Sequence, residues 1–188
     1  MKVIVINGSP RKKGSTAILA AQAVRGLNDH DIETEIVFLN DLEMRGCQAC
    51  YWCKKNDVVE CALKDDMQKV HRLMQESEGL IVASPIYFAG VTAQTKAWLD
   101  RLFPYIGMNL SPKMPPGKKV SFIFTQNQPD ARLFEIPVRT FMHMVGLTGL
   151  VPKDHMLACD LDAGIKPPVE GRKDLMEQAY RIGRDLLD

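Results

Sequence analysis

The chain has 188 residues, 46% of them hydrophobic and 25% charged, with a formal net charge of +1. That length carries one domain with a core of its own, and the even charge balance gives no electrostatic reason to expect binding to nucleic acid or an anionic membrane. The apolar run after Met1-Lys2 is too short for a signal peptide and no stretch reaches the length of a membrane span, so the expectation is a cytoplasmic protein whose five cysteines are not structural disulfides.

In chain order, residues 3–6 read as a first strand that runs into the loop Asn7-Gly8-Ser9-Pro10-Arg11-Lys12-Lys13-Gly14-Ser15-Thr16. Ser15 is a good N-cap for a helix that carries Ala20, Ala23, Val24 and Leu27 on one face. Residues 33–39 give strand two. A cysteine-rich insertion at about 45–62 follows, then a helix from about Asp66 with Met67, Val70, His71 and Met74 on one stripe. Residues 79–84 are strand three, leading into the loop Pro85-Ile86-Tyr87-Phe88-Ala89-Gly90 and a helix that turns Thr95, Trp98, Leu99 and Leu102 inward.

After a proline-rich loop, residues 119–125 form strand four. A helix aligned on Val138, Phe141, Met142 and Val145 comes next, opened or kinked by Pro137. A weaker strand near 156–159 and a last helix through Leu175, Ala179, Ile182 and Leu186 complete the chain. Five strands alternating with five helices predict a single α/β domain over 1–188, a doubly wound parallel sheet with helices on both faces. Cys159 and His71 read as core residues.

A loop that leaves the first strand and opens a helix is where a three-layer α/β protein binds phosphate, because the helix end presents unpaired N–H groups; a solvated turn with incidental hydroxyls is the alternative. Gly8 and Gly14 allow close backbone approach, Ser9, Ser15 and Thr16 offer hydroxyls, and Arg11 a planar charge. The nucleotide-triphosphatase loop is excluded, since five residues separate Gly8 from Gly14 and Ser15 stands where lysine is required. The dinucleotide fingerprint is absent as well. One phosphate loop fits a mononucleotide such as FMN.

Gly8-Ser9-Pro10-Arg11 followed by Ser15-Thr16 resembles the phosphate loop of the NAD(P)H-dependent FMN reductases. Pro85-Ile86-Tyr87-Phe88 resembles that family's second flavin loop, whose aromatic faces and backbone suit a flat ring. The resemblance implies a flavodoxin-like sheet in the order 2-1-3-4-5, with FMN beyond the carboxyl ends of the strands and NAD(P)H as electron donor. Thr125 and Gln126 open the third loop of that edge, which lacks the glycines common in the family. No side chain is required as an acid or base, so no catalytic residue is assigned.

Four cysteines fall in Cys47-x2-Cys50-x2-Cys53-x7-Cys61. The spacing is compatible with a [4Fe–4S] cluster on four thiolates. A zinc site, a thiol–disulfide pair at Cys50 and Cys53, and thiols that hold nothing remain as alternatives. With Lys64-Asp65-Asp66-Met67 downstream, the first hundred residues or so resemble the iron–sulfur flavoproteins, a branch of the same superfamily. The resemblance implies an oxidoreductase that passes electrons through a cluster lying near a flavin. An electron carrier served by a ferredoxin-like partner, or a redox sensor, are the other readings. With no second domain to cover the flavin, the chain is expected to form a homodimer or tetramer.

Overall fold

A computed structural model of the protein describes residues 1–161 and 168–188. Five strands, β1 (Lys2–Asn7), β2 (Glu33–Phe38), β3 (Gly79–Tyr87), β5 (Lys119–Thr125) and β6 (Val151–Ala158), pair in parallel in the order β2-β1-β3-β5-β6. A sixth strand, β4 (Gly90–Val91), is antiparallel to the end of β3. Counted without β4, the order is the expected 2-1-3-4-5, so the doubly wound reading holds, with one hairpin added.

The central strands β1, β3 and β5 are buried on both sides, which explains why their apolar runs are continuous. Along β1, Val3 and Val5 pack into a layer with Leu19, Ala23, Ala179 and Ile182, whereas Ile4 and Ile6 face Met67, Val70, Trp98 and Phe141. The first layer is therefore covered by α1 (Ser15–Asn28) and α6 (Lys173–Arg184), the second by α3 (Met67–Glu76), α4 (Ala93–Asp100) and α5 (Glu135–Gly146). One further turn, α2 (Trp52–Lys55), lies in the cysteine segment. Among the described residues no helix is long and apolar enough to cross a membrane.

Several boundaries move for physical reasons. Gly14, not Ser15, is the N-cap of α1, and no side chain caps that helix end. Pro137 sits in the first turn of α5, where its missing N–H leaves no bond unmade. The last strand begins at Val151, because its first five residues are exposed at the sheet edge and carry no apolar alternation. His71 is in the core as expected, with Nδ1 3.1 Å from the Tyr105 hydroxyl. Its Nε2 has no partner, and burial pushes the imidazole pKa down to about 4.

Helices α1 and α6 approach so closely that glycine is required between them. A Cβ on Gly183 would lie 1.8 Å from the Ala23 carbonyl oxygen, and one on Gly26 2.2 Å from that of Tyr180. Gly183→Ala is expected to destabilise the fold by about 3 kcal/mol in urea unfolding, as overpacking against rigid backbone does. Gly171→Ala, where a Cβ meets nothing within 4 Å, should stay within about 0.5 kcal/mol. Equal stability of the two variants would refute this helix contact.

Candidate functional site

Because β1, β3 and β5 run parallel, their carboxyl ends meet at one edge of the sheet, where such folds bind ligands. The loops leaving them enclose a cleft of about 510 Å³, lined by Arg11, Ser15, Pro85, Ile86, Tyr87, Phe88, Thr125, Gln126, Asn127 and Leu161. That volume is within the usual range for small-molecule sites.

On the β1 side, the first backbone bond of α1 runs from Ile18 N–H to the Gly14 carbonyl at 3.1 Å. The N–H groups of Ser15, Thr16 and Ala17 therefore have no carbonyl behind them, and the first turn carries no acid to compete with an anion. Arg11 lies open on this rim, and among the described residues its guanidinium has no carboxylate partner; the neighbouring Lys12 instead pairs with Asp41 at 2.6 Å.

Two hydroxyls of the expected phosphate loop bond within the protein, and its two glycines are shaped by neighbouring side chains. Ser9 is buried, and its hydroxyl serves the loop itself, accepting from Arg11 N–H and donating to Arg11 O, both at 3.2 Å. The Thr16 hydroxyl is 2.7 Å from that of Thr125, tying α1 to β5 behind the cleft. Gly8 packs on the start of α4, where a Cβ would lie 1.7 Å from the Thr95 hydroxyl, and its carbonyl accepts from Thr92 Oγ1 and Gln94 Nε2, both at 2.8 Å. Gly14 is shaped by Arg11, whose side chain a Cβ would meet at 3.2 Å, and it is absent from the cleft lining. Of the hydroxyls of Ser9, Ser15 and Thr16, only that of Ser15 is on a residue lining the cleft.

On the β3 side the expected loop is a hairpin. Tyr87 pairs with Gly90, and the turn residues Phe88 and Ala89 have φ of 48° and 66°. Two successive left-handed residues suit a tight hairpin turn, but without glycine or asparagine they are strained. Phe88 is fully exposed at the tip, beside a half-exposed Tyr87.

On the β5 side, Gln126 is buried, and its Nε2 donates to the carbonyls of Gln128 and Asp130 at 3.1 and 3.0 Å. Among the described residues its Oε1 has no partner. Cys159, expected as a buried hydrophobe within a strand, stands just past β6, half-buried, with Sγ 3.3 Å from Gln126 Nε2. Partial burial raises its thiol pKa. The lining suits FMN: bare N–H groups and a free guanidinium for a phosphate, flat apolar faces for a ring, and an orphaned acceptor for a ring N–H.

The cysteines form a second site. Cys47, Cys50, Cys53 and Cys61 line one small cavity together with Tyr51, Arg101, Phe103 and Pro104. Cys47 and Cys50 are exposed, Cys61 is intermediate, and Cys53 is buried with its thiol pKa raised by that burial. Among the described residues no three His, Cys, Asp or Glu side chains are gathered closely enough to hold a metal ion. Four thiols around one cavity nonetheless match the donor set of an iron–sulfur cluster.

The cavity shares no lining residue with the cleft. Helix α4 runs between them: its first turn touches Gly8, whereas Arg101 past its end lines the cysteine cavity. Eight helical residues span about 12 Å. The strand order predicts thiols near a bound flavin, of this chain or of a partner subunit; within this chain the length of α4 separates the two cavities.

Asn127, Leu161 and Arg101 were not singled out in the sequence. Arg101 had a signal, since Trp98, Arg101, Leu102 and Tyr105 fall at i, i+3, i+4 and i+7, and a charge on an apolar stripe implies a buried partner. That partner is Asp65, whose carboxylate meets the guanidinium at 2.6 and 2.9 Å.

The fold and cleft define a flavodoxin-like protein with a mononucleotide site. Residues 1–129 match the family described as NADPH-dependent FMN reductase, and the chain belongs to that family. It is 41% identical over 115 residues to an iron–sulfur flavoprotein of Methanocaldococcus jannaschii, a match that covers 61% of this chain and 58% of that one. It is 29% identical over 155 residues to an iron–sulfur flavoprotein of Methanosarcina thermophila, covering 82% and 80%. The chain thus spans under two thirds of the Methanocaldococcus jannaschii protein, and 47% of an iron–sulfur flavoprotein of Archaeoglobus fulgidus. Among solved structures, an NAD(P)H:quinone oxidoreductase from Methanothermobacter marburgensis superposes with a TM-score of 0.78 at 18% identity, covering 100% of this chain and 98% of that one.

Proposed function

We propose that the protein is an FMN-dependent oxidoreductase that takes electrons from NAD(P)H and passes them to an acceptor through a [4Fe–4S] cluster on Cys47, Cys50, Cys53 and Cys61. The observation that carries this reading is the pairing of a flavin-shaped cleft with a four-thiol cavity at opposite ends of α4. The redox chemistry would belong to the cofactors, hydride acceptance to bound FMN and single-electron transfer to a cluster. The chain's own groups bind and orient. Arg11 and the first N–H groups of α1 would hold the phosphate, Pro85 to Phe88 would wall the ring from water, and Gln126 Oε1 would accept from a ring N–H. A second subunit fits the exposed Tyr87, Phe88, Leu133 and Ile136, so a homodimer or tetramer is part of the proposal.

Anaerobic mixing with NADPH and NADH, followed at the flavin absorbance, tests the donor. Bleaching by either nucleotide within seconds is the expected result. Bleaching by dithionite alone would replace the reductase with a carrier fed by a ferredoxin-like protein, a reading favoured by the exposure of Cys47, Cys50, Tyr51 and Trp52 on one surface segment.

A further inference from the structure

Arg101 is 1% exposed and lies just past the end of α4. Burying a guanidinium is costly unless its donors are satisfied. Nη1 donates to Asp65 Oδ2 at 2.6 Å and to Arg45 O at 2.8 Å, and Nη2 donates to Asp65 Oδ1 at 2.9 Å. The Nε–H is buried and, among the described residues, has no partner.

The same side chain lines the cavity of the four cysteines. Lys54, the other cation of this region, is committed elsewhere: its Nζ donates to the carbonyls of Phe103 and Ile106 and sits over the Phe103 ring. Among the described residues Arg101 is thus the one cation in the cavity lining, with a free donor.

We infer that Arg101 donates its free Nε–H to the sulfur of Cys61 when the four thiolates hold the cluster, and that its charge makes the cluster easier to reduce. The inference rests on the cluster reading given above. When dithionite supplies one electron, the cluster gains one negative charge and no proton. A cation and an N–H···S bond beside it stabilise the more negative state and raise the potential. Arg101 is a positioning residue in this role. If it served only to tie Arg45 and Asp65 together, its loss would lower stability and leave the potential unmoved.

The test is a dithionite titration of anaerobically purified, cluster-loaded protein, reading the electron paramagnetic resonance signal of the reduced cluster. Arg101→Gln is expected to shift the one-electron equilibrium at least tenfold toward the oxidised form, about 59 mV, and Arg101→Lys to fall between it and the parent. If Arg101→Gln does not fold, Asp65→Asn replaces it: that variant keeps the guanidinium and removes the opposing charge, so its potential must rise. Four irons per chain with an unmoved potential in Arg101→Gln, or no rise in Asp65→Asn, would overturn the role of Arg101 alone. A parent protein without iron would overturn the cluster reading and this inference with it.

Discussion

Expressed and purified without oxygen, the protein should carry about four irons and matching acid-labile sulfide per chain, held by Cys47, Cys50, Cys53 and Cys61. Replacing any of the four by alanine should lower iron sharply while FMN stays bound, because the cysteine cavity and the cleft share no lining residue. Cys159→Ala should keep its iron, since that thiol stands beside Gln126 at the cleft and outside the cysteine cavity. Metal analysis decides the matter. Iron and sulfide near zero, with all thiols titratable, would leave a flavin protein with a thiol-lined pocket.

The second large effect concerns Arg11. A charge-assisted contact to a phosphate contributes about 1.5–3 kcal/mol, so Arg11→Ala should weaken FMN roughly 10- to 100-fold and riboflavin less than about threefold. The difference is meaningful because Arg11 is exposed, lines the cleft and has no carboxylate partner among the described residues, so removing it leaves no buried charge behind. Binding is read by flavin fluorescence quenching. Equal loss for both flavins would move the phosphate to another part of the cleft. Ser9→Ala is no substitute experiment, since its hydroxyl braces the loop and its loss would affect both ligands through the backbone.

The sheet was legible because strands buried on two faces read as unbroken apolar runs, as in Lys2–Asn7 and Gly79–Tyr87. The cleft was legible where a residue type and its place in the fold agree: Arg11 and Ser15 at a helix start, Tyr87 and Phe88 past a central strand. It was illegible where a side chain's partner is distant in sequence. Nothing near Thr16 announces Thr125, and nothing near Ser9 shows that its hydroxyl turns inward. The β3–β4 hairpin escaped notice because Phe88 and Ala89 occupy positions that glycine or asparagine usually fills. The position of the cysteines depends on Asp65 reaching Arg101 across 36 residues, a tertiary contact that spacing within 47–61 does not encode.

The glycine notch between α1 and α6 bears on how the protein is made. The helix that presents its N-terminus to the cleft is flanked on the same face of the sheet by residues 173–184. While the ribosome is still producing that segment, the side of α1 at Ala23 and Gly26 has no neighbour, and the phosphate loop stands on a helix packed only against the sheet. A nascent chain should therefore acquire tight flavin affinity only once α6 has emerged, leaving the earlier strands to depend on chaperones in the interval.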